Sequence, residues 1–231
     1  MTIRLVSLDM AGTTIDEGGA VYDVLERSVA EAIGRPVPAE VLARWTGTGK
    51  RQAIHGLLTE LGDDPSKTDD VFATFSKRLD EAYSATPATL FPGVREAVAE
   101  LRARGVRVAL QTGYTLDVAQ SLLDVVGWSV GVDLDALATA DDVTVSRPAP
   151  YLVFRTMEAT GVEGVSEVLV AGDTPNDLGA GCNAGARYVV GVLTGASDAL
   201  ALGRHPHTHV LPSVADLPVL LAEAEEYPSE D

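Results

Sequence analysis

The sequence has one cysteine, no apolar run long enough to cross a membrane, and half as many basic residues as acidic ones. A lone Cys182 excludes a disulfide within the chain, and its setting among small residues (179–185) predicts a buried, structural thiol. The 17 basic and 34 acidic residues give a formal net charge of −17. That charge repels nucleic acid and anionic membrane surfaces, so we expect neither as a partner.

We expect no targeting signal at the start of this sequence. Residues 1–4 lead straight into an apolar run, so we expect no signal peptide. The single cysteine is compatible with a reducing compartment, and we predict a cytoplasmic protein. With 46% hydrophobic and 22% charged residues, the composition is that of a globular protein. Its 231 residues are enough for one large domain and a smaller inserted one.

Strand-like and helix-like segments alternate beyond residue 92. β-Branched apolar runs predict strands at 106–110, 167–171 and 188–192, and helical spacing predicts helices at 94–104, 116–126, 150–160 and 176–184. An earlier apolar run at 3–8 predicts a first strand. This alternation predicts an α/β fold, namely a doubly wound, Rossmann-like parallel sheet that binds ligands at the carboxyl ends of its strands.

Between the first strand and the next, no segment has a convincing strand pattern. Helical spacing instead predicts four helices, at 21–33, 39–45, 51–61 and 67–83. Glycine- and proline-containing segments precede and follow them. We therefore predict a small α-helical cap domain (19–87) inserted into a catalytic core (1–18 and 88–231), with an acidic tail (223–231) that frays.

Asp9 ends the first predicted strand and is followed by a tight turn of small residues. A carboxylate presented at the end of a buried parallel strand is a candidate nucleophile for phosphorus, and its attack would give an aspartyl phosphate. Gly12 would let a backbone amide approach a phosphoryl oxygen. The alternative interpretation is a simple turn that ends a strand.

Thr112 and Gly113 follow the predicted strand at 106–110. A hydroxyl and a glycine amide at the end of a strand are suited to phosphate recognition. On their own they are equally typical of a plain turn from strand to helix. They are therefore candidate phosphoryl-binding residues only in combination with other groups.

Arg147 precedes a predicted helix whose start is set by proline. Its guanidinium could grip a phosphonate with two parallel donors, and it never loses its charge. The alternative is an ordinary arginine on the protein surface.

Asp173 and Asp177 follow the predicted strand at 167–171. Two carboxylates four residues apart, at the same edge of the sheet as Asp9, predict a site for Mg²⁺, which prefers oxygen ligands. Asp173 would bind the metal, and Asp177 would orient it or its waters. The metal would screen the repulsion between Asp9 and an anionic substrate.

The four motifs follow one another in the order and spacing that are typical of the haloacid dehalogenase superfamily, and the chain resembles that superfamily along nearly its whole length. At two positions, Ala11 and Arg147, the chain resembles the phosphonate-cleaving (phosphonatase) branch, whereas most members of the superfamily carry a second acid and a lysine there. The resemblance implies a magnesium site of Asp9, the Ala11 backbone carbonyl and Asp173 with Asp177. It also implies a small phosphonate as substrate and a homodimer formed through the cap.

Ala11 argues against an ordinary sugar-phosphate phosphatase. General acid catalysis contributes about 10²- to 10⁴-fold in rate, which an enzyme that cleaves a phosphate ester can hardly discard. A carbon leaving group needs no proton from that position. It needs an electron sink, and an imine between a lysine and a carbonyl next to the phosphonate would supply one.

Lys50 is the candidate for that imine. It is one of only three lysines among the 17 basic residues, and it follows a glycine-rich loop in the predicted cap. By resemblance it occupies the position of the Schiff-base lysine of the phosphonatase branch, where arginine could not replace it. The alternative is a basic residue that only recognises substrate.

The resemblance has gaps. A methionine and a histidine that flank the lysine in the family are replaced by Thr46 and Ala53, and we expect His55, two residues further on, to be structural or exposed. We expect the histidines at 205, 207 and 209 to lie in a surface loop. The resemblance implies cleavage of the carbon–phosphorus bond of phosphonoacetaldehyde, and these departures leave a related 2-oxoalkylphosphonate open. A haloacid dehalogenase, a phosphatase and a non-catalytic sensor of phosphate ligands remain as alternatives.

Overall fold

The computed structural model describes residues 2–226, which form a mixed α/β structure. The strands are β1 (Leu5–Asp9), β2 (Ile15–Asp16), β3 (Thr89–Leu90), β4 (Arg107–Gln111), β5 (Ala136–Ala138), β6 (Val168–Gly172), β7 (Tyr188–Val192) and β8 (His209–Leu211). The helices are α1 (Ala20–Ile33), α2 (Ala39–Trp45), α3 (Lys50–Glu60), α4 (Thr68–Ala85), α5 (Val94–Ala103), α6 (Leu116–Val126), α7 (Tyr151–Thr160), α8 (Pro175–Ala184), α9 (Ala199–Leu202) and α10 (Leu217–Glu226).

Six strands form one parallel sheet in the order β5-β4-β1-β6-β7-β8. β1 lies between β4 and β6, and all five of its residues are buried. Side chains alternate between the faces of a strand. Leu5 packs with α7 and α8 on one face, whereas Val6 and Leu8 pack on the other with α5, α6 and α10. Helices thus cover both faces, and the predicted doubly wound α/β fold is confirmed.

α1 to α4 lie between β2 and β3, which pair with each other in antiparallel fashion, Ile15 opposite Leu90. These helices bury an apolar cluster of their own that is continuous with one face of the sheet; its members include Leu25, Leu57, Phe75 and Leu79. The four helices begin and end within two residues of the predicted positions. The two-residue strands were not predicted, and the boundaries of the cap stay a prediction. No helix within residues 2–226 is both long and apolar enough to span a membrane.

Two local expectations were wrong. Cys182 is exposed, with its thiol 3.3 Å from the Pro206 carbonyl oxygen, because its neighbour Gly181 is the residue that faces the sheet. Successive residues of a helix point about 100° apart, and the buried side of α8 is formed by Leu178, Gly181 and Ala184, which leaves Cys182 on the exposed side. His209 lies in β8 rather than in a loop, whereas His205 and His207 are exposed as predicted. The acidic tail is helical as far as Glu226, and residues 227–231 lie outside the described part.

Candidate active site

Three neighbouring strands bring the predicted residues to one edge of the sheet. β1 ends at Asp9, β4 is followed by Thr112, and β6 is followed by Asp173. Because the strands are parallel and adjacent, their carboxyl ends meet at one place. All three side chains are buried, with exposures of 5%, 2% and 1%. The structure therefore brings together residues that lie more than 160 positions apart in the sequence.

Arg147 lies in the middle of this edge and is only 2% exposed. Its Nη1 is 2.6 Å from Asp9 Oδ1, and the same nitrogen is paired with Asp177 Oδ1. Burial alone would lower the pKa of the guanidinium, but Asp177 and Asp9 raise it above its usual value. Arg147 is thus a permanently charged group inside the site, and the alternative of a surface arginine is wrong.

Asp9, Asp173 and Asp177 form a cluster of buried carboxylates, with oxygen atoms within 4.8 Å of one another. Burial raises the pKa of Asp9 to about 7, helped by the two other acids and opposed by Arg147. Burial and then Asp177 raise the pKa of Asp173 to about 6. One guanidinium faces three carboxylates, so the charges do not balance. A hard divalent cation fits this donor set and would supply the missing positive charge.

Asp173 is held from two sides. Its Oδ1 accepts a hydrogen bond from the Thr13 hydroxyl at 2.9 Å, and its Oδ2 accepts one from the Ala196 amide at 2.7 Å. A Cβ on Gly12 would lie 2.6 Å from the same Oδ2. Each carboxylate oxygen keeps a second lone pair for a ligand. Sequence patterns did not indicate Thr13 or Ala196, because hydroxyl and backbone donors carry no distinctive spacing.

Gly12 has a structural role in this arrangement. Its φ of +78° is one that side-chain-bearing residues rarely adopt, and it lets the turn pass directly beside Asp173. Its amide donates to the Ile15 carbonyl oxygen at 2.9 Å. The geometry therefore does not support the expectation that this amide contacts a phosphoryl oxygen.

Both oxygens of Asp177 are already engaged. One pairs with Arg147, and the other accepts hydrogen bonds from the Thr174 amide and hydroxyl, forming a capping box at the start of α8. The Thr174 amide bond measures 3.0 Å. Asp177 thus stands behind Arg147 and fixes its position, in addition to contributing negative charge to the cluster.

Lys50 is the first residue of α3 and is only 6% exposed. Its backbone amide donates to the Gly113 carbonyl oxygen at 3.2 Å, and its Nζ donates to the Thr48 carbonyl oxygen at 3.3 Å. The ammonium lies 5.2 Å from the ring centroids of both Tyr22 and Tyr114. The cap helix therefore delivers an amine into a polar and aromatic enclosure at the edge of the core.

The pKa of the Lys50 amine falls from 10.5 to about 8, chiefly because burial removes water from the charged form. Arg147 lowers it further, whereas Asp9, Glu17 and Asp177 raise it. Near neutral pH such an amine is deprotonated far more often than an exposed lysine, and only the neutral form attacks a carbonyl carbon.

The cap helices are docked tightly on the core. Asn176 Nδ2 donates to the Thr46 carbonyl oxygen at 2.6 Å, and the Ser146 amide donates to Gln52 Oε1 at 3.0 Å. A cleft of about 930 Å³ opens between the two parts next to Lys50. His55 lines this cleft, exposed as predicted, with Nδ1 3.3 Å from the Thr68 hydroxyl oxygen. The structure is thus one in which the cap covers the acidic cluster.

Gly113 lies directly against the backbone of the cap, since a Cβ there would lie 2.5 Å from the Thr48 carbonyl oxygen. We expect Gly113→Ala to lower kcat/KM on the order of 10²-fold, because the cap could no longer bring Lys50 to its place. Steady-state kinetics and circular dichroism would test this. Gly164→Ala is the matched control, because its Cβ meets only the movable Glu167 side chain. Equal kinetics of the two variants would contradict the prediction.

Comparison with known proteins agrees with this geometry. A family model described as haloacid dehalogenase-like hydrolase matches residues 3–185. The phosphonoacetaldehyde hydrolase of Bacillus cereus is 30% identical over 213 residues, covering 86% of this chain and 78% of that protein. A hydrolase from Pseudomonas syringae has the same fold, with a TM-score of 0.81, 23% identity, and coverage of 96% of this chain and 99% of that one.

A phosphonoacetaldehyde hydrolase-like protein from Oleispira antarctica also shares the fold, with a TM-score of 0.80 and 20% identity, covering 98% of this chain and 94% of that one. At such identities the two solved structures establish the architecture alone. The family model covers most of the chain, including Asp9, Arg147 and Asp173. With its buried acidic cluster at the carboxyl edge of a doubly wound sheet, the chain belongs to the haloacid dehalogenase-like hydrolases.

Proposed function

We propose that this hydrolase cleaves the carbon–phosphorus bond of phosphonoacetaldehyde or a related 2-oxoalkylphosphonate. One observation carries the proposal: Lys50 is buried, its pKa is lowered, and its amine interacts electrostatically with Asp9 and Arg147. Recognition of an anion is served by a charged group, whereas imine formation requires a neutral amine. The similarity to phosphonoacetaldehyde hydrolases supports the same reaction class.

The absence of a side-chain acid at Ala11 supports a carbon leaving group. Ala11 is buried beside the cluster, and no carboxyl group two residues after Asp9 is available to protonate a leaving oxygen. In ester hydrolysis such an acid contributes about 10²- to 10⁴-fold. An enzyme that releases carbon through an enamine does not require it.

In the proposed reaction, neutral Lys50 adds to the substrate carbonyl, and the adduct takes up one proton and loses water to give an iminium ion. Asp9 then attacks phosphorus. The carbon–phosphorus bond breaks, and its electron pair forms the double bond of a neutral enamine, leaving an aspartyl phosphate on Asp9. Water hydrolyses the aspartyl phosphate to inorganic phosphate. The enamine takes a proton at carbon, and water then releases the carbonyl product and the free amine.

Phosphoryl oxygens would be bound by Arg147, Thr112 and Gly113. Arg147 is already oriented by Asp177 and can donate through its remaining N–H groups. The Thr112 hydroxyl lies at the end of β4, beside the strand that carries Asp9. Next to the acidic cluster, Ala11, Tyr22 and Asp173 line a cavity of about 280 Å³ that would take the 2-oxoalkyl chain.

Mg²⁺ fits the acidic cluster and would be held by Asp9, the Ala11 carbonyl oxygen and Asp173, with Asp177 behind them. When bound, it would neutralise negative charge between the nucleophile and the phosphonate.

We expect saturating Mg²⁺ to raise the thermal midpoint of unfolding by about 5–10 °C in the wild type, because the ion binds to the folded state alone. In Asp173→Asn the increase should largely vanish. An equal increase in both proteins, measured by differential scanning fluorimetry, would contradict this metal site.

The decisive experiment measures phosphate release from phosphonoacetaldehyde with Mg²⁺, together with borohydride reduction and mass spectrometry of the protein. We expect turnover and a reduced adduct on Lys50. Longer 2-oxoalkylphosphonates would be tested in parallel. Chloride release from a haloacid without Mg²⁺ would instead indicate a dehalogenase, and rapid turnover of p-nitrophenyl phosphate without any adduct would indicate a phosphatase.

A further inference from the structure

Glu17 is a buried carboxylate that the proposed reaction does not use. It lies just after β2, on the linker into the cap, and is 5% exposed. Its Oε2 accepts hydrogen bonds from the Val21 amide at 3.1 Å and from the Tyr83 hydroxyl at 3.4 Å. It also lines a cavity of about 280 Å³ together with Ala11 and Asp173. A buried carboxylate is costly, which calls for an explanation.

Tyr83 connects Glu17 to the core. Its hydroxyl lies 2.7 Å from the hydroxyl of Tyr114, which is itself 2% exposed. The Tyr114 ring in turn faces the Lys50 ammonium, 5.2 Å from its centroid. A continuous set of contacts therefore runs from the first linker, through the end of α4, to the core loop and the cap lysine.

Within residues 2–226, Lys50 has no carboxylate at ion-pair distance. Its Nζ takes part in none of the salt bridges among residues 2–226, and its contacts are one carbonyl oxygen and two aromatic rings. The charged groups that act on it from other elements are Asp9 on β1, Asp177 on α8, Arg147 before α7, and Glu17 on the linker. Asp9 and Asp177 are already paired with Arg147. Glu17 is paired with no cation at salt-bridge distance in the described part of the chain.

We propose that Glu17 is a positioning residue for Lys50: through Tyr83 it fixes the Tyr114 ring against the amine, and its negative charge compensates the buried cation. This role rests on the proposed function and adds to it a residue outside the motifs of the family. The iminium formed on Lys50 is also a cation, so the same charge would stabilise it. Because Tyr83 and Lys50 belong to the cap segment and Tyr114 to the core, the arrangement forms only when the cap is docked.

The first test needs no substrate. Competitive acetylation with acetic anhydride at a series of pH values, read by mass spectrometry, reports the pKa of each lysine, with exposed Lys77 as the internal reference. Removing a nearby negative charge makes the protonated amine less favourable. We therefore expect Glu17→Gln to lower the pKa of Lys50 by about one unit and to leave Lys77 unchanged. An unchanged Lys50 profile would overturn the proposal.

The second test separates position from charge. Tyr83→Phe keeps the Glu17 charge but removes the hydroxyl that joins Glu17 to Tyr114. We expect borohydride trapping and kcat to fall about tenfold with little change in KM, because the amine is displaced rather than the phosphonate site. Tyr151→Phe, an exposed tyrosine on α7, is the control. Equal trapping rates in Tyr83→Phe and Tyr151→Phe would contradict the positioning role.

The two tests also distinguish the proposals from each other. If the pKa of Lys50 responds to Glu17→Gln but no 2-oxoalkylphosphonate is trapped, the positioning role stands and the proposed reaction fails. If the wild type turns over phosphonoacetaldehyde while Glu17→Gln and Tyr83→Phe match it in every measurement, the reaction stands and Glu17 is only structural. Partial recovery of trapping in Glu17→Asp would support the role of the charge.

Discussion

Lys50→Arg is expected to abolish the borohydride-reduced adduct and to lower phosphate release from phosphonoacetaldehyde on the order of 10⁴-fold. Arginine keeps the positive charge and much of the length of lysine, but a guanidinium cannot form an imine and stays protonated. The variant therefore separates imine chemistry from simple recognition of an anion. Mass spectrometry after reduction and a continuous phosphate assay would measure both effects.

Lys77→Arg is the matched control, since the Lys77 side chain is 81% exposed and pairs only weakly with Glu81. It should keep wild-type turnover and the wild-type adduct. If Lys50→Arg retained most of the activity, Lys50 would be a residue for substrate recognition and the imine mechanism would be wrong. Binding of phosphate, measured by calorimetry, should persist in Lys50→Arg because Arg147 remains in place.

Asp9→Asn should lower turnover on the order of 10⁵-fold, because an amide oxygen is a poor nucleophile for phosphorus. The variant should form no phosphorylated enzyme on rapid quenching, whereas Lys50 should still be trapped by borohydride with the carbonyl substrate. This difference would place imine formation before the attack on phosphorus. Asp117→Asn, an exposed change on α6, is the control for general effects of losing a carboxylate.

The same variant should be at least as stable as the wild type when no divalent cation is present. Asp9 is one of three buried carboxylates that share a single guanidinium, so its removal relieves repulsion between like charges. Urea unfolding with and without Mg²⁺ would show this, with a smaller gain from Mg²⁺ in Asp9→Asn. A loss of several kcal/mol without the metal would mean that the pair with Arg147 outweighs the repulsion.

Periodic patterns predicted the long elements well, because burial on one or both faces leaves a clear signature in the sequence. β7 and the helices α2 and α6 have the predicted bounds. β5 and β8, with three residues each, are too short to show a pattern, and β2 and β3 are shorter still. These strands exist because a neighbouring strand offers them hydrogen-bond partners, which the local sequence does not reveal.

The site residues that could be predicted from the sequence are those at the carboxyl ends of the strands of the sheet. Asp9, Thr112 and Asp173 are such residues, and parallel strands carry them to one edge. Glu17, Tyr83 and Tyr114 could not be predicted, because their meeting depends on how the inserted helices dock. Asp177 shows a related limit, since its spacing indicated a metal site, whereas its contacts also hold Arg147 and cap α8.

The pairing of β2 with β3 has an evolutionary consequence. The chain enters the helical insertion after β2 and leaves it before β3, and these two strands lie side by side, with Ile15 opposite Leu90 and Asp16 opposite Thr89. An insertion with neighbouring ends can be lengthened, shortened or exchanged for another without disturbing the six-stranded sheet. Asp9 and Asp173, the proposed nucleophile and metal ligand, follow strands of the six-stranded sheet, whereas Lys50, the proposed imine-forming residue, lies in the insertion. We therefore expect changes in the insertion to alter the substrate while the proposed phosphoryl chemistry on the sheet is retained.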